Sequence, residues 1–169
     1  MLTARSLGYQ PDGALDFGLD RDKLAGAAAR PYGILLHATA RPEKEWPQRL
    51  WIALGRALRQ RGTLLLPWGS EAERSRSARI AAAVDDARVP DRQPLDAMAR
   101  LVAGASFVVG VDTGLLHLAA ALGVPLVAIF VGSEPGLTGP MGRGPIAVVG
   151  GRGEVPSVAE VMRALERLQ

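Results

Sequence analysis

The chain has 169 residues, 48% hydrophobic and 22% charged, which suits one compact α/β domain and is too short for two full ones. It contains no cysteine, which excludes disulfides and thiolate metal sites and fits a reducing compartment. The formal charge is only +3, with the basic residues scattered. The basic stripe that nucleic-acid binding needs is therefore missing, while a weak preference for anionic membrane surfaces stays open.

Residues 1–10 lack the apolar core of a secretory signal. Residues 1–31 are rich in Gly, Ala, Pro and Asp without periodicity, and read as an interdomain linker or domain-edge segment. The domain proper is expected over 32–169. A short apolar run over 33–37 predicts a buried strand. Over 46–60, Leu50, Trp51, Leu54, Ala57 and Leu58 share one helical face, with Pro47 in the first turn and Gly62 as terminator. A second strand is expected over 63–66 and a helix over 71–84. A short extended piece then falls around Arg88 and Val89, followed by a helix over 95–103.

Residues 105–132 are almost all apolar, yet a bilayer span needs ~20 uninterrupted apolar residues. Asp112, Thr113, His117 and the Gly123-Val124-Pro125 turn interrupt the run. It reads as strand over 106–111, helix over 115–122 and strand over 126–130. A last strand around 146–149 and a helix over 158–168 close the domain. Strands apolar on both faces, alternating with helices, predict an α/β fold with a Rossmann-like doubly wound parallel sheet. Ligands of such sheets sit beyond the carboxyl ends of the strands.

The strongest chemical signal lies there, in Val111-Asp112-Thr113-Gly114-Leu115-Leu116-His117. Gly114 permits close backbone approach, and the first turn of the helix offers N–H groups and a positive dipole end to a phosphate. Thr113 adds a hydroxyl, and His117 lies one turn further on. The competing structural reading makes Asp112 a helix cap and His117 an interfacial histidine. No G-x-G-x-x-G or Walker loop is present. After the first strand, His37-Ala38-Thr39-Ala40-Arg41-Pro42-Glu43-Lys44 offers Thr39 and Lys44 to a diphosphate. After the second, Glu73 can accept from ribose hydroxyls or simply favour a helix start. Residues 132–142 form a glycine-rich loop, long enough to serve as a flexible wall.

These stretches, H-A-T-A-R-P-E-K-E-W-P, L-P-W-G, V-D-T-G-L-L-H-L-A-A-A-L and E-P-G-L-T-G, resemble the C-terminal domain of the lipopolysaccharide heptosyltransferases from Gly33 to Gly142. The H-A-T and L-P-W-G pieces favour the heptosyltransferase I branch. The resemblance implies half of a two-domain GT-B glycosyltransferase that uses ADP-L-glycero-β-D-manno-heptose and inverts at the transferred carbon. Heptose would go to the Kdo of the lipid A inner core. Thr113, Gly114 and His117 would hold the diphosphate, Lys44 would neutralise it, and Glu73 would take the ribose. Thr39 and Asp112 would also contact the donor. No metal or other cofactor is implied.

Ala40 stands where the family motif commonly has a second threonine. The catalytic base would lie on an N-terminal domain outside this sequence, together with the Kdo-lipid A site, so the chain alone is expected to bind donor without transferring it. The implied location is cytoplasmic, with a peripheral position on the inner membrane left open. Two alternatives stay open: a stand-alone nucleotide-sugar-binding module, and half of a different GT-B transferase or epimerase.

Overall fold

Among the described residues, six parallel strands form one sheet, in which the third, second, first, fourth, fifth and sixth along the chain lie side by side in that order, the arrangement of a doubly wound dinucleotide-type fold. The computed structural model describes residues 16–26 and 31–168. The strands are β1 (Tyr32–Leu36), β2 (Thr63–Leu65), β3 (Ala87–Arg88), β4 (Phe107–Val111), β5 (Leu126–Phe130) and β6 (Ile146–Gly150). The helices are α1 (Arg21–Leu24), α2 (Gln48–Ala57), α3 (Glu71–Ala81), α4 (Leu95–Ala103), α5 (Gly114–Ala121), α6 (Pro135–Thr138) and α7 (Val158–Glu166). A short 3-10 turn, Pro42–Lys44, lies between β1 and α2.

Alternation along the strands divides the core into two layers. Leu35, Phe107, Val109, Val127 and Ile129 point to one face, where they meet Trp51 and Leu54 of α2, Ile80 of α3, and Val161 and Leu165 of α7. Ile34, Leu36, Val108, Leu126 and Ala128 point to the other, against Met98 and Val102 of α4 and Leu116 and Ala119 of α5. β1, β4 and β5 are therefore buried on both sides, which is why they read as unbroken apolar runs. Gly110 allows α5 to lie close on the sheet. A Cβ there would sit 2.8 Å from the Cβ of Leu36 and 3.1 Å from a Leu116 methyl.

Most expected elements form within a residue or two of their predicted ends, and two details differ. Pro47 is the residue flanking α2 rather than part of its first turn. Gly62 does not terminate that helix, which ends at Ala57 with Leu58 as its cap. Gly62 instead turns the chain into β2 with φ +104, and a Cβ there would collide with the Pro31 carbonyl.

Within the stretch expected as linker or domain edge, α1 is packed on the domain. The Arg21 guanidinium donates to the carbonyls of Ala103 and Ala105, both at 2.9 Å. Residues 1–15 and 27–30 lie outside the described residues.

Candidate functional site

The order of the sheet decides where the site lies. β1 and β4 are neighbours, and the chain winds outward from them in opposite directions. The loops leaving their carboxyl ends separate and open a crevice at this switch point. Those two loops carry His37–Lys44 and Asp112–Gly114, far apart in sequence and now side by side.

Asp112 is the hub. Its carboxylate is 8% exposed, and its Oδ2 accepts from Lys44 Nζ at 2.6 Å, Ser133 Oγ at 2.7 Å and Thr138 Oγ1 at 3.3 Å. Thr39 Oγ1 donates to the Asp112 carbonyl at 3.2 Å. His117 Nε2 stands 3.7 Å from Oδ1, longer than a hydrogen bond. Burial pushes the carboxyl group up, but the hydrogen bonds from Lys44, Ser133 and Thr138 and the Lys44 charge outweigh it and hold Asp112 below the usual carboxylate range.

Asp112 does not cap α5. That position belongs to Thr113, whose side chain makes no capping bond, so the first-turn N–H groups of the helix keep their capacity to bind an anion. In front of Gly114 no atom lies within 4 Å of where a Cβ would be. His117 projects from the same helix and is 45% exposed. Lys44 is not a solvated loop charge, since only 17% of its side chain is exposed and it is held against Asp112.

Beside this cluster lies a cavity of about 390 Å³. Leu36, Met98 and Leu115 supply apolar wall, while Thr39, Thr113 and Glu73 supply polar groups. The structure thus brings Thr39, Lys44, Asp112, Thr113, Gly114 and His117 to one edge, with Glu73 across the cavity. Glu73 is also a helix-start residue. Its Oε2 accepts from the backbone N–H of Gly69 at 2.7 Å and Ser70 at 3.3 Å, while Ser70 Oγ accepts from the Glu73 N–H. That reciprocal pair is a capping box.

Sequence reasoning missed Ser133 and Thr138 as partners of Asp112, and Leu36, Gln93, Met98 and Leu115 as cavity wall. The apolar members carried no signal, being indistinguishable from core residues of β1, α4 and α5. The loop over 132–142, expected as a flexible wall, is attached to its surroundings at several points. Besides the Ser133 and Thr138 bonds, Gly132 packs on the Glu43 carbonyl and Gly142 on the Ala120 carbonyl, each so closely that a Cβ would collide. Among the described residues, no three His, Cys, Asp or Glu side chains gather as a metal site, and no helix is long and apolar enough to cross a membrane.

The profile of the family described as glycosyltransferase family 9 (heptosyltransferase) matches residues 1–166. The chain belongs to glycosyltransferase family 9. Among its relatives, lipopolysaccharide heptosyltransferase 1 of Pseudomonas aeruginosa is 46% identical over 145 residues, which cover 84% of this chain and 41% of the relative. Lipopolysaccharide heptosyltransferase 1 of Escherichia coli is 39% identical over 146 residues, covering 84% and 46%. The chain thus spans less than half the length of these family 9 relatives.

Solved structures of the family agree with the fold. E. coli heptosyltransferase WaaC with ADP superposes with a TM-score of 0.87 at 33% identity, over 99% of this chain and 54% of that one. The same enzyme with ADP-2-deoxy-2-fluoro heptose gives a TM-score of 0.81 at 34% identity, over 98% and 53%.

Proposed function

We propose that this chain is the ADP-heptose-binding, C-terminal half of an inverting GT-B heptosyltransferase that adds the first heptose to the Kdo of the lipopolysaccharide inner core. The observation that carries the reading is the cluster of Lys44, Asp112 and His117 beside an uncapped helix start, next to a cavity with an apolar wall. The two similar solved structures, one with ADP and one with ADP-2-deoxy-2-fluoro heptose, support the same ligand class.

In this reading the adenine lies against Leu36, Met98 and Leu115, and the ribose hydroxyls reach Glu73. The diphosphate meets the N–H groups of Thr113 and Gly114, where the helix dipole favours negative charge. An acceptor hydroxyl, deprotonated by a base on the other half, attacks the anomeric carbon of the heptose. The new C–O bond forms opposite the breaking bond to the β-phosphate oxygen, and ADP leaves. Charge grows on that phosphate as the bond breaks, so Lys44, His117 and the start of α5 act where the transition state is most negative. The protein would work in the cytoplasm, peripherally at the membrane that holds the Kdo-lipid A acceptor.

Calorimetry with ADP, ADP-heptose and a UDP-sugar tests the ligand. Both adenine compounds are expected to bind at least tenfold more tightly than the UDP-sugar. Equal affinity for UDP compounds would reject the reading.

A further inference from the structure

His37 is buried at the end of β1, two residues before Thr39, with no exposed surface. Its Nε2 lies 2.7 Å from the Oγ of Ser77, which is likewise buried in α3. Ser77 stands one helical turn after Glu73, so the two side chains lie on the same side of α3. The His37 ring meets Trp51 edge to face at 6.5 Å between centroids, and Trp51 in turn meets Trp46 at 5.1 Å. The imidazole is thus held between Ser77 on one side and Trp51 on another. Nδ1 has no hydrogen-bond partner among the described residues. Nε2 and Ser77 Oγ share one proton across this contact, in a direction set by the imidazole tautomer.

A second tie runs parallel to the first. Arg76 Nη2 donates to the Trp46 carbonyl at 2.7 Å, and Nη1 pairs with Glu45. The segment carrying Thr39 and Lys44 is therefore joined to the helix carrying Glu73 through side chains on its buried side. Thr39 and Glu73 line the same 390 Å³ cavity from different segments.

We propose that His37 and Ser77 are positioning residues that set the separation between the two walls of the nucleotide cavity. Neither is among the residues lining that cavity; the pair acts through the loop and the helix that it connects. This inference rests on the nucleotide-binding reading above.

The test is amide hydrogen exchange and ADP calorimetry on the chain as it stands, comparing wild type with Ser77→Ala, His37→Asn and His37→Gln. A glutamine amide reaches about as far as Nε2, whereas an asparagine amide stops near Nδ1. Ser77→Ala and His37→Asn are expected to speed exchange over 39–45 and 69–73 and weaken ADP about tenfold, in line with the cost of small misplacements of site groups. His37→Gln is expected to restore both readouts to within about threefold of wild type, the remaining misplacement being small.

Wild-type exchange in Ser77→Ala would overturn the tie itself, whatever ADP does. Faster exchange with unchanged ADP affinity would leave the tie structural and overturn its positioning role. Equal losses in His37→Gln and His37→Asn would overturn the assignment of the Nε2 bond. Failure of the wild-type chain to bind ADP would overturn the nucleotide-binding reading, and the positioning role with it.

Discussion

Lys44 is the side chain whose environment most limits what it can do. Held 2.6 Å from Asp112, it cannot act as a loose counterion. In the proposed reading it shares or exchanges its partner when the diphosphate arrives at the start of α5. Lys44→Ala removes a charge-assisted contact and leaves Asp112 with its hydroxyl donors only, so ADP affinity should fall about tenfold to a hundredfold. Calorimetry reads this directly, and an unchanged Kd would remove Lys44 from the site.

Gly114→Ala makes a sharper distinction. Open space in front of Gly114 means stability should stay within about 1 kcal/mol or rise, while the added methyl group obstructs close approach and ADP binding drops. Parallel loss of both would show that the glycine matters for folding instead.

His37 gives a prediction in pH. Burial, and then the nearby Arg76 charge, hold its imidazole down to about 4, against an ordinary value of 6.5. The unfolded chain takes up a proton through that interval and the folded chain does not, so stability falls as pH drops from about 6.5 to 4. The full loss is about 3 kcal/mol for this group. Denaturant melts at stepped pH should show the slope in wild type and a shallower one in His37→Gln. Identical slopes would mean that the buried ring is not the source.

At the scale of elements, the expected strands and helices were legible because their apolar faces were. α2 and α7 show the helical period on one side, and β4 and β5 are apolar throughout. Two capping boxes follow from local spacing that the sequence reading did not use: Ser70 with Glu73, and Ser157 with Glu160.

The contacts of the loop over 132–142 were not legible, because glycine content signals either freedom or close packing and only neighbours distinguish the two. Here Gly142 abuts the Ala120 carbonyl at the end of α5. Gly142→Ala should therefore cost about 2 kcal/mol, an overpacking penalty, and lower the melting temperature by about 4–8 °C for a domain of this size. Scanning calorimetry would reveal an unaffected Tm if the loop were loose.

For the whole molecule, the decisive fact is the order in which the strands are wound. Placing β1 beside β4 brings two loops more than sixty residues apart to one edge, with the α3 start as the opposite wall. The apolar wall of the cavity is made of ordinary core positions whose outer ends happen to reach the crevice. If the catalytic base belongs to a second domain, purified chain supplied with ADP-heptose and Kdo-lipid A should bind donor and produce no heptosylated product by mass spectrometry. Turnover by this chain alone would place the base within these residues.

The sequence by itself determined the α/β class, the order of strands and helices over 32–168, and the loops that carry the site. These follow from local periodicity, turn chemistry and helix-end chemistry, all of which act over a few residues. Only the tertiary structure decided that Asp112 binds Lys44, Ser133 and Thr138 rather than capping α5, that Glu73 both caps α3 and faces the cavity, and that His37 ties the two walls together. Those contacts join segments from different parts of the chain, and a buried polar group takes whichever partner the packed sheet brings within reach. No spacing along the sequence encodes that choice.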